Sequence, residues 1–91
     1  MTVEDRFKKF HAKNPDVYSY FKQFAWSLIS AGHQKLSSKL IVNRIRWETA
    51  VTTTGPTYLI DDRYTPWYAR LFIDDFPAHG DLFELRVIRT P

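Results

Sequence analysis

Two dipeptides, Asn14-Pro15 and Thr65-Pro66, restrict this chain more than any other feature of its 91 residues. Each places a capping-type side chain before a proline, and each is followed by apolar residues at helical spacing. In the first turn of a helix proline's missing N–H needs no partner and its fixed φ suits the geometry; deeper in, it breaks the hydrogen-bond ladder. The pair therefore predicts two helix starts around which the rest must pack. After the first, Val17, Phe21, Phe24, Ala25, Leu28 and Ile29 share a face, and Gly32 supplies the C-terminal stop. After the second, Tyr68, Leu71, Phe72 and Phe76 share a face, and Pro77 stops the helix.

Further signals fill in the order of elements. Thr2-Val-Glu-Asp5 has the pattern of a capping box, which predicts a short helix to about Ala12 with Phe7 and Phe10 on one face. Ser37 and Ser38 both offer the next N-cap; with Ser37 in that place, Leu36 and Ile41 take the positions of a hydrophobic staple. Leu40, Ile41, Ile45 and Trp47 then form the apolar face of a third helix, and Lys39, Asn43, Arg44 and Arg46 spread over the remainder. The Thr52–Pro56 stretch ends that helix, since β-branched residues, Gly and Pro all disfavour its continuation. Tyr58–Ile60 is a short strand, Asp61-Asp62-Arg63 a turn, and Leu82–Ile88 alternates with Phe83, Leu85 and Val87 on one side. The expectation is one α+β domain over residues 1–91: about four helices with a two-stranded sheet, comparable to a winged helix-turn-helix. A strand between the third and fourth helices departs from the usual winged order.

So short a chain has little core to draw on. Its aromatic share, 16%, is what makes a single core feasible, because each buried ring removes roughly 150–250 Å² from water. With no cysteine, disulfides, thiolate metal sites and cysteine nucleophiles are excluded. The amino-terminal residues are polar, without a signal-peptide core, and no apolar run approaches the ~20 residues of a membrane span, so the expected location is the cytoplasm with no membrane partner.

Little in the sequence points to catalysis. His11, His33 and His79 are far apart, and none shows the spacing of metal ligands on a helix. They read as solvated histidines at helix ends and turns. Asp61-Asp62 and Asp74-Asp75, with Glu84, are the residues that would have to hold a divalent cation, but adjacent carboxylates on a helix diverge and the first pair suits a turn. The three glycines are isolated, so there is no phosphate loop, and Ser37-Ser38 has no neighbouring base. The expectation is a protein that is not an enzyme and needs no cofactor or metal.

Binding is better supported. Residues 1–53 hold nine Lys/Arg against four Asp/Glu, while residues 54–91 hold four against six. The segment 33–46 carries four cations and no acid. A basic helix after a glycine-containing turn suits a helix-turn-helix, with Lys35, Lys39, Arg44 and Arg46 on phosphates or bases and Gln34 and Asn43 as polar readers of DNA. The same cations also fit an ordinary solvated face, with Arg44 or Arg46 paired to Asp61, Asp62 or Glu48. The alternative is a protein–protein module built on Trp47, Tyr64 and Trp67, residue types enriched at interface hot spots, for a host protein or a second copy. Against it stands the simpler expectation that these tryptophans are core. Oligomeric state, monomer or homodimer, stays open.

Four blocks, Phe10-His-Ala-Lys-Asn-Pro-Asp-Val-Tyr, Arg44-Ile-Arg-Trp-Glu-Thr-Ala-Val, Tyr68-Ala-Arg-Leu-Phe with Pro77, and Phe83-Glu-Leu-Arg, resemble a family of short proteins encoded by tailed bacteriophages and by prophages. The likeness covers roughly residues 7–86. It implies a phage-derived protein acting in a bacterial cytoplasm and carries no residue role. It favours two tasks, binding DNA as a small regulator or binding a host protein; a structural role in the virion is a third.

Overall fold

The computed structural model describes residues 2–52 and 60–83. These form four α-helices, α1 (Val3–Lys13), α2 (Pro15–Ser30), α3 (Ser38–Thr52) and α4 (Thr65–Asp75), with short 3₁₀ turns at Asp62–Tyr64 and Pro77–His79. None of these helices is long and apolar enough to cross a membrane.

The helix starts follow their sequence signals unevenly. At α1 the capping box is complete: Asp5 N–H donates to Thr2 Oγ1 at 3.2 Å, and Thr2 N–H to Asp5 Oδ2 at 3.3 Å. These hydrogen bonds hold the Asp5 carboxyl below the usual carboxylate range. At α3, Leu40 N–H donates to Ser37 Oγ at 3.2 Å, as a cap should, and Leu36 and Ile41 of the staple are both buried. Pro15 occupies the first turn of α2, but Asn14 does not cap it. Both the backbone N–H and the side-chain amide of Asn14 donate backward to Phe10 C=O, so this residue closes α1 instead. Thr65 is likewise no cap, because α4 begins at Thr65 and the preceding turn is closed by Asp61, whose carboxylate accepts from Arg63 N–H at 2.9 Å. Gly32 ends α2 as predicted, with φ +93°. His33 N–H reaches Leu28 C=O and Gly32 N–H reaches Ile29 C=O, the paired bonds of a Schellman motif.

The core is aromatic. Tyr68 and Phe72 of α4, with Phe21 of α2, are fully buried at its centre. Phe7 meets the Tyr68 ring edge-on at 4.7 Å between centroids, and Phe83 lies 5.8 Å from Phe21 and 5.7 Å from Phe72. Ala69 is also buried, small enough to let a neighbour approach α4 closely. Thr49 is buried and polar, and it satisfies its hydroxyl by donating to Ile45 C=O at 2.8 Å.

The α+β expectation, and with it the winged arrangement, is corrected: the described residues are helical and contain no strand or sheet. Leu36 and Phe83 form one isolated parallel bridge, with Leu36 N–H donating to Leu82 C=O at 2.7 Å. Pairing at 82–83 thus goes to the α2–α3 loop. Ile60 gives its side chain to the core and its carbonyl to the Arg46 guanidinium, which leaves that carbonyl engaged by a side chain where a ladder would need it. The remainder of the expected strands, Tyr58, Leu59 and 84–88, lies outside the described residues.

Candidate interaction face on the third helix

α3 carries two apolar arcs. Ile41, Val42 and Ile45 form the inner one, buried together with Thr49 against the other helices. The outer one consists of Leu40, Trp47 and Val51, exposed at 58%, 58% and 62%, with Arg44 between them on the same stripe. The sequence pattern merges Leu40 and Trp47 with the inner set; the structure places both on the opposite side. Trp47 is therefore not a core residue.

Arg44 organises this outer stripe. Its guanidinium lies 5.1 Å from the Trp47 ring and 5.7 Å from the Phe24 ring of α2, and reaches Glu48 at 3.2 Å. Beside it a shallow groove between α2 and α3 is lined by Phe24, Ser27, Leu28, Leu40, Ile41 and Arg44. An apolar helix edge thus continues into an apolar groove, with one cation and one carboxylate at its middle.

The six residues assigned to nucleic-acid contact are dispersed by their local chemistry. Lys35 donates to Asp81 C=O at 3.1 Å, tying the α2–α3 loop to the 80–83 segment. Arg46 donates to Ile60 C=O, to Asp62 Oδ1 at 2.9 Å and to Asn43 Oδ1 at 2.9 Å, and so clamps α3 to the chain entering α4 while occupying Asn43. Arg44 is held in the stripe as described. The side chains of Gln34 and Lys39 are exposed and make no hydrogen bond or ion pair among the described residues. The pairings weighed for the solvated reading, Arg46 with Asp62 and Arg44 with Glu48, are the ones formed.

The three residues assigned to a protein partner are also separated. Tyr64 is half-buried against Phe10 and Phe7 of α1, at 5.3 and 5.9 Å between ring centroids. Trp67 stacks on Phe7 at 6.4 Å under the Arg70 guanidinium. Trp47 alone of the three belongs to the outer face of α3. Leu40, Val51, Phe24 and Leu28 were not singled out for this role, although steps of four, three and four residues from Leu40 through Arg44 and Trp47 to Val51 were there to be read.

A second group of polar atoms lies at the margin of the aromatic core, where buried Tyr18 and Tyr68 adjoin half-buried His11 and exposed Asp75. Tyr18 donates to Asp75 at 2.5 Å, and burial together with that bond pushes its phenol above its ordinary value. Burial likewise raises Tyr68, whose hydroxyl, like His11 Nδ1, has no hydrogen-bond partner among the described residues. Among the described residues no three His, Asp or Glu side chains come together in an arrangement able to hold a metal.

No family model matches the chain, and no curated protein or solved structure matches it either.

Proposed function

We propose that this protein is a non-enzymatic binding module whose contact surface is the outer face of α3 and the adjoining groove on α2, and whose partner is a protein helix. One observation carries the reading. Leu40, Trp47 and Val51 stand more than half exposed in one line, where a chain this short would be expected to bury its tryptophans and aliphatic residues. Tryptophan beside arginine is the combination that dominates binding energy at protein interfaces. The partner has apolar residues at helical spacing to cover Leu40, Trp47 and Val51, and an acidic residue at its edge can share the Arg44 guanidinium, which Glu48 already pairs with at 3.2 Å. The likeness to phage and prophage proteins supplies a setting, the bacterial cytoplasm.

DNA binding keeps less support. Of its six residues, Lys35, Asn43 and Arg46 are engaged within the fold, and the outward side of α3 is largely apolar. An amide chemical-shift titration separates the two. A synthetic amphipathic helix bearing Leu and Glu should shift the signals of Phe24, Leu28, Leu40, Arg44, Trp47 and Val51. Silence from that peptide, with salt-sensitive shifts at Gln34, Lys35 and Lys39 on adding a DNA duplex, would replace the protein reading with the nucleic-acid one.

A further inference from the structure

The spacing from Leu40 to Arg44 to Trp47 to Val51, four, three and four residues, is that of the d, a, d and a positions of a two-heptad seam. About its midpoint, between Ile45 and Arg46, the stripe has the same kind of residue at matching distances. Leu40 and Val51 are aliphatic ends; Arg44 and Trp47 are a cation and a π face near the centre. A helix with that pattern is complementary to its own copy in the antiparallel sense. Leu40 then meets Val51 of the partner subunit, and Arg44 meets Trp47 of the partner subunit. The Arg44–Trp47 attraction already present within the helix at 5.1 Å is the same chemistry that crosses the seam. A parallel pair would instead bring Arg44 against Arg44 of the partner subunit, like charges in one layer. Glu48, 3.2 Å from Arg44, balances the charge of the layer from each side.

We infer that the occupant of this face is a second copy of the chain, paired α3 against α3 in an antiparallel C2 homodimer. The inference rests on the reading of α3 as an interaction face and names its partner. A two-fold contact is isologous, so the same patch must satisfy itself, and the reversed order of the stripe meets that requirement. Phe24 and Leu28 widen the contact beyond a single helix edge, because the end of α3 carrying Val51 in the partner subunit would lie over the groove they line. α3 has 15 residues and is therefore about 22 Å long, which puts the contact toward the small end of specific interfaces and makes the dimer reversible with dilution.

Sedimentation velocity on the full chain, from low-micromolar to sub-millimolar concentration, tests this. The weight-average mass should rise from 10.8 kDa toward twice that value. Trp47→Glu or Leu40→Glu should hold it at the monomer with an unchanged helical circular-dichroism spectrum. Arg44→Glu should weaken association at least tenfold, because it sets a carboxylate against the partner subunit's Trp47 ring, whereas Arg44→Lys, which keeps a cation there, should retain association. A monomer at every concentration overturns the homodimer. In that case, shifts on the α3 face with the Leu/Glu peptide leave the protein-binding reading standing, and their absence removes both. A dimer that persists in Trp47→Glu and Leu40→Glu also overturns the inference, because the contact must then lie elsewhere.

Discussion

α3 and α4 are both rich in large apolar residues and use them in opposite ways. On α4, Tyr68 and Phe72 are fully buried, and Trp67, Leu71 and Ile73 pack against the same core. On α3, Ile41, Val42 and Ile45 are buried while Leu40, Trp47 and Val51 face water. α4 is enclosed by contacts with α2, α3 and the two 3₁₀ turns; α3 sits at the edge, with α2 and α4 on its inner side. The difference teaches that the amount of apolar surface on a helix does not decide its role. What decides it is how many neighbours the helix has to cover that surface.

Substitutions can break this contrast directly. The largest effect belongs to α4: Phe72→Ala should cost about 3–5 kcal/mol in chemical denaturation, whereas Trp47→Ser, in dilute protein, should stay within about 0.5 kcal/mol. A large loss from Trp47→Ser would mean that the outer arc of α3 is covered after all. The two arginines of α3 sharpen the comparison on a polar scale. Arg46→Met removes donors to Ile60, Asp62 and Asn43 and should cost about 1.5–3 kcal/mol. Arg44→Met removes an i, i+4 pair on the surface, worth about 0.5 kcal/mol or less.

pH gives a third handle on the enclosed region. Tyr18 and Tyr68 hold their phenol protons more tightly when folded than an ordinary tyrosine does. Their contribution to stability is complete below the unfolded value of about 10 and falls as pH rises above it, by up to about 1.4 kcal/mol per pH unit for each group. Urea midpoints measured from neutral pH into the alkaline range should fall accordingly, and Tyr18→Phe should flatten the decline. The smallest contrast lies at the helix starts: Ser37→Ala should cost about 1 kcal/mol as the loss of a true cap, while Thr65→Ala should change stability by only a few tenths.

Much of the helical layout was legible because its signals act locally. The Thr2–Asp5 box, Pro15, Gly32 and Ser37 each fix a boundary through bonds within a few residues, and each sits where the pattern placed it. Asn14 and Thr65 misled because a capping-type residue before proline is compatible with two partners, and the choice depends on what precedes it. For Asn14 the competing acceptor was Phe10 C=O; for Thr65 the turn closed by Asp61 had already started the helix. The expected sheet failed at Leu36, which paired with Phe83, a partner that periodicity within either segment cannot reveal. The candidate site was half legible. Trp47, Arg44 and the possible Glu48 pairing were in view, but the division of α3 into two arcs is set by where α2 and α4 lie, a tertiary fact.

The isolated bridge between Leu36 and Phe83 has a consequence for biosynthesis. Phe83 is the last buried residue in chain order among those described, and its ring covers Phe21 and Phe72 while its backbone seats Leu36. A ribosome delivers the chain amino end first, so α1, α2 and α3 emerge before the residue that closes over them. Until Phe83 clears the exit tunnel, the nascent helices hold Phe21 and Leu36 without their cover.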